Sequence, residues 1–162
     1  MKTTKWALII INLFALLAFV NYSAYNNEKI FKGGKLIYLE LIESSPRSPL
    51  IQGDVMNLKY KVSKGFLFDT VYKNGFVVVK LDTNAIAERV RFQPNKLPKA
   101  DNEYLIECKK GYFSVSIGAE QYFLQQGQQN KYEQAKYAAL KVAADGKSLL
   151  MGLYDGGLKK IE

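Results

Sequence analysis

Behind Lys2 and Lys5 the chain runs through fifteen residues, Trp6 to Val20 (WALIIINLFALLAFV), in which Asn12 is the one polar position. A membrane-spanning helix needs about 20 apolar residues, and Asn21 to Tyr25 complete that length with tyrosines at interfacial depth. The segment predicts an N-terminal transmembrane helix over residues 6–25, preceded by a basic N-terminus (1–5) and followed by a linker (26–33). A cleaved signal segment is the rival reading. The end Tyr22-Ser23-Ala24 puts a bulky ring where a small residue is required, which favours retention.

Beyond Gly33-Gly34 the pattern changes to short apolar runs separated by turn residues. Lys35 to Glu43 predicts a first strand, and Ser44 to Pro49, with two prolines, predicts a loop because proline lacks the ladder donor. Met56, Leu58 and Tyr60 then alternate with polar neighbours, the period of a half-buried strand with those three facing inward. Asn74-Gly75 between Phe66–Tyr72 and Phe76–Leu81 predicts a hairpin. Ala87–Phe92 alternates again, Gln93–Ala100 predicts a second proline loop, and Glu103–Cys108 and Tyr112–Ile117 predict another hairpin around Lys109-Lys110-Gly111. Asn130 predicts the cap of a short helix reaching Lys136, with Glu133 completing a capping box. Tyr137–Ala143 and Lys147–Leu153 flank Asp145-Gly146 as a closing hairpin. The expected fold of residues 34–162 is mainly β, a compact barrel or sandwich-like domain with one short helix.

Charge and composition narrow the chemistry. The excess of 23 basic over 15 acidic residues is dispersed, with no basic run of five, so it suits solvated strand faces near an anionic membrane better than nucleic acid, and no nucleic-acid partner is expected. There is no histidine and a single cysteine, Cys108. That excludes an internal disulfide, histidine-based triads and the usual zinc sets, so no metal, no cofactor and no enzyme activity are expected. Cys108 reads as a small core residue.

Two places remain as candidate binding sites. Gly53-Asp54 stands at the mouth of a strand, where the carboxylate can bond to nearby amides or pair with Arg47 across the loop. With Tyr60 these residues form the expected recognition surface. Tyr122, Tyr132 and Tyr137 surround a glutamine-rich turn and suit either a core or a docking patch, since a tyrosine ring excludes water while its hydroxyl stays paired. Ser44, Ser45 and Ser48 near lysines leave a Ser-Lys hydrolase as an alternative, and a hollow barrel would allow a small-ligand or lipid carrier.

Gly53 to Tyr60 (GDVMNLKY) resembles the signature of the GDYXXLXY-motif protein family, with Val55 where that family has Tyr. The resemblance extends upstream through Gly34–Leu39 and Pro46–Leu50. Downstream it takes in Tyr122-Phe123, Gly127, Tyr132-Glu133, Ala135, Tyr137 and Gly146–Leu153. It implies a membrane-anchored protein without the features of a characterised enzyme, exported to the periplasmic side and associated with a polytopic membrane protein. The resulting expectation is a single-pass interaction or accessory subunit of a membrane complex.

Overall fold

The apolar run becomes part of one continuous helix, α1 (Lys2–Gly33), in a computed structural model that describes residues 2–46, 54–64, 73–111, 115–124 and 127–162. Residues 26–33 are therefore the last two turns of this helix. It is long and apolar enough to cross a membrane over Leu8–Gly33, and that stretch is exposed up to its end, where Asn26 is half-buried and Ile30 buried. Gly34 stops it. Its N–H donates to the Ile30 carbonyl at 2.8 Å, and a Cβ there would stand 2.5 Å from that same oxygen. Only glycine allows the chain to leave the helix directly into a strand at this distance.

Nine strands follow among the described residues. They are β1 (Lys35–Pro46), β2 (Asp54–Tyr60), β3 (Asn74–Leu81), β4 (Ala87–Gln93), β5 (Glu103–Lys110), β6 (Val115–Ser116), β7 (Gln121–Leu124), β8 (Tyr137–Val142) and β9 (Ser148–Tyr154), with a one-turn helix α2 (Gln129–Tyr132) before β8. Two antiparallel sheets result, ordered β7-β2-β1-β8-β9 and β4-β3-β5-β6. Both contribute to one core, in which Ile37, Leu39, Leu58 and Leu140 of the first meet Val77, Val79, Ile106 and Cys108 of the second. The domain is thus mainly β and sandwich-like, as its alternating runs predict.

The sheets are joined at their margins. The Tyr38 N–H donates to the Ala85 carbonyl at 2.9 Å, and a parallel bridge pairs Tyr38 with Ile86. On the opposite side the Glu107 N–H donates to the carbonyl of Gly146, at 2.7 Å, in the β8–β9 turn. Gly146 has φ +96° and lies against the Phe76 ring, so the Asp145-Gly146 turn both closes its hairpin and docks on the other sheet.

Three local expectations are corrected. β1 does not end at Glu43 but continues through Ser44 and Ser45 to Pro46, opposite Leu58, Asn57 and Met56. β8 pairs with β1 only as far as Glu40, so beyond it β1 is an edge on that side, where a proline is tolerated. Asn74-Gly75 lie within β3, opposite Lys109 and Cys108, rather than in a turn. Gly75 is required by proximity, since a Cβ would come within 2.6 Å of the Gln93 carbonyl oxygen, and both edges of β3 are taken by β4 and β5. Phe66–Tyr72 lies outside the described residues, as do positions 112–114 of the strand expected over Tyr112–Ile117. Finally, α2 is only one turn long and Asn130 lies inside it. Gln128, not Asn130, occupies the cap position, and the turn is held by burial of Tyr132 and nearby Ala135.

Candidate functional site

Period-two geometry sends alternate residues of β2 to opposite faces, and Met56, Leu58 and Tyr60 are each about 1% exposed. Val55, on the other face, is also buried, while Lys59 is exposed. The strand then grips the segment that crosses from β6 to β7. The Leu58 N–H donates to the Glu120 carbonyl at 2.7 Å, and the Tyr60 hydroxyl donates to the Ala119 carbonyl. The Glu120 carboxylate in turn accepts from the Ile117 N–H and the Ser116 hydroxyl, which shapes the crossover. β6 belongs to one sheet and β7 to the other, so this strand staples the two sheets together.

Tyr60 therefore does not form part of a recognition surface. Burial, and secondarily the nearby Glu120 charge, pushes its hydroxyl far above the ordinary tyrosine range, which keeps it a neutral donor. Arg47 and Gly53 lie outside the described residues. The Asp54 backbone opens β2 opposite Leu124.

The three other candidate tyrosines separate. Tyr122 on β7 lies opposite Met56, and its ring meets that of Tyr132 on α2 at 5.5 Å and 55°. Burial, followed by its hydrogen bond to Tyr132, raises the Tyr122 hydroxyl to about 12. Tyr132 is buried and joins the core. Tyr137 belongs elsewhere, on β8 between Glu40 of β1 and Tyr154 of β9, and is half-buried. Beside this pair the exposed surface of β7 carries Phe123, which is 71% exposed and lies opposite Val55.

Sequence reasoning missed an ion pair between a buried carboxylate and a half-buried guanidinium. Arg91 of β4 donates through both terminal nitrogens to the two carboxylate oxygens of Glu103 on β5, at 2.7 and 2.8 Å. The same guanidinium reaches the Gln93 side chain at 3.0 Å and the Pro98 carbonyl at 3.0 Å, and Glu103 also accepts the Ala100 N–H at 3.1 Å. The network fastens the proline loop over residues 94–100 to the sheet. Arg91 holds the Glu103 carboxyl down at about 2, with help from the Ala100 amide. The available signal was a glutamate at the start of an apolar strand, a position that calls for a basic partner when buried.

A model of the GDYXXLXY protein family matches residues 16–153. The chain belongs to this family. No curated protein and no solved structure matches it. In this GDYXXLXY protein the Leu and second Tyr of the signature are Leu58 and Tyr60, the two residues that staple the crossover. Val55, at the signature's first Tyr, is buried opposite Phe123, so an apolar side chain serves there without a hydroxyl.

For chemistry the site offers little. Among the described residues no three His, Cys, Asp or Glu side chains converge to hold a metal ion. Cys108 is buried, and burial raises its thiol to about 11, so it stays protonated and unreactive. A cleft of about 320 Å³ beside the β1–β4 seam is lined by Glu40, Lys61, Glu88 and Arg89. Lys61 is paired with Glu40 at 2.8 Å, and the Arg89 guanidinium caps the Val62 carbonyl at 2.9 Å, so charges here bind the protein to itself.

Proposed function

We propose that this GDYXXLXY protein is a single-pass membrane protein whose β-domain sits on the extracytoplasmic, periplasmic side and acts as an interaction or accessory subunit of a complex with a polytopic membrane protein. The observation that carries the reading is α1. Its large apolar side chains from Trp6 to Val20 are half-exposed or more, a surface that water would not tolerate and a bilayer would cover. The helix enters the domain without a flexible joint, because Ile30 is buried and Gly34 bonds back to it. A domain held this way presents a fixed face to neighbours in the membrane.

Within the domain, the signature strand is taken up in joining the sheets, and partner recognition falls to what surrounds it. Phe123, 71% exposed on β7 opposite Val55, is an exposed aromatic of the kind that suits a docking patch, and Asp54 opens the paired strand one position away. Tyr137 is a second, separate contact candidate. The carrier alternative gains no support from the described interior, which is filled by side chains. For the Ser-Lys alternative, Ser44 and Ser45 lie on β1 opposite Leu58 and Asn57, and Ser48 lies outside the described residues.

Proximity crosslinking of the full-length protein in its native membrane, followed by mass spectrometry, tests the proposal. Wild type should enrich one polytopic membrane protein, and Asp54→Ala or Phe123→Ser should reduce that enrichment at least several-fold while leaving the chain folded. Recovery of no specific partner with wild type would sink the reading.

A further inference from the structure

Two asparagines lie on opposite faces of α1, and they are treated differently. The Asn21 carboxamide donates to the Leu17 carbonyl at 2.9 Å, one helical turn back, so its polarity is absorbed by its own helix. Asn12 has no side-chain partner among the described residues. At about 1.5 Å per residue it lies roughly 9 Å along the helix from Trp6, which places it inside the hydrocarbon layer if Trp6 marks the interface. An unpaired carboxamide in hydrocarbon is unfavourable, and a second helix is the source of partners available at that depth.

The positions around Asn12 follow a 4-3-4 spacing, Leu8, Asn12, Ala15 and Phe19. This is the 3.5-residue repeat of a left-handed helix pair, with a small residue next to the polar one so that the backbones can approach. Copies of one chain inserted with the same sidedness run parallel, and about a two-fold axis each residue faces its own equivalent. A carboxamide carries both donor and acceptor, so Asn12 is complementary to a second Asn12 without any other group. A single polar position in such a seam also fixes register.

On these grounds we infer that α1 pairs in the membrane with α1 of a second copy of this chain, in parallel, through the Leu8-Asn12-Ala15-Phe19 face, with the two Asn12 carboxamides bonded to each other. The inference rests on the membrane reading given above and extends it from an anchor to an interface.

The test is energy transfer between donor- and acceptor-labelled copies of the full-length protein in phosphatidylcholine vesicles, with flotation of the same samples. Wild type should float with the vesicles and show transfer above random proximity. Asn12→Leu should weaken pairing about five- to thirty-fold, the range for one interhelical polar contact of about 1–2 kcal/mol. Asn12→Gln should retain pairing, and Asn21→Leu, on the opposite face, should match wild type. Wild type that floats yet stays monomeric, or Asn12→Leu that pairs as wild type does, would overturn the inference alone. Wild type that fails to float would overturn the anchor on which it rests.

Discussion

At the scale of single residues, the signature's tyrosine is explained by one hydrogen bond in a place where nothing else can make it. Tyr60→Phe keeps the ring but leaves the Ala119 carbonyl buried and unpaired, and it should lower stability by about 1–3 kcal/mol in denaturant titrations. Tyr122→Phe, at a half-buried position, should cost less in the same measurement. Glu103 supplies a pH signature. Its carboxyl is held at about 2 against an ordinary 4.5, so its pairing with Arg91 stabilises the fold fully above 4.5 and is lost as pH falls from there towards 2. The thermal midpoint of the wild type should fall across that window, and Glu103→Gln should flatten the fall. Neither residue announces its role locally. Tyr60 lies 59 positions from Ala119 and Glu103 lies 12 from Arg91, so their partners exist only once strands from distant parts of the chain are side by side.

At the scale of elements, period-two alternation places β2 and β4, and the turn signals at Lys109-Lys110-Gly111 and Asp145-Gly146 place β5, β8 and β9, close to their observed bounds. Where turn residues misled, the cause was tertiary. Gly75 is a glycine because a neighbouring strand's carbonyl crowds it, and the run past Glu43 stays in the ladder because β2 offers it partners there. The two glycines ending α1 make this distinction testable. Gly34→Ala would place a Cβ 2.5 Å from the Ile30 oxygen and 3.2 Å from the Val142 nitrogen, whereas Gly33 has open space around it. Gly34→Ala should therefore destabilise the detergent-solubilised protein by more than about 1 kcal/mol and expose the α1–β1 junction to limited proteolysis, while Gly33→Ala should leave both unchanged or slightly improved.

At the scale of the whole molecule, seams that join the sheets among the described residues include Tyr38 with Ala85 and Ile86, Glu107 with Gly146, and, third, β2 with the β6–β7 crossover. The family signature lies on the third. The strand that is easiest to recognise in the sequence is thus devoted to architecture, and this directs the search for function to the surface around it and to α1. The same arrangement separates the tyrosines that the sequence places in one cluster. Tyr122 and Tyr132 meet across β7 and α2, whereas Tyr137 sits at the start of β8, between Glu40 of β1 and Tyr154 of β9.

What the sequence determined by itself is what repeats or accumulates along a short stretch of chain. The apolar length of α1, the alternation within strands, the glycine turn at Gly146, the family signature and the absence of histidine chemistry all belong to this class. What only the tertiary structure decided is which of these residues are used up inside the protein. Burial of Tyr60 and Tyr132, the Arg91–Glu103 clamp and the close approach at Gly34 and Gly75 depend on neighbours brought in from elsewhere, and a hydrogen bond or a steric contact acts only over a few ångströms of space, however far apart its partners stand in the chain.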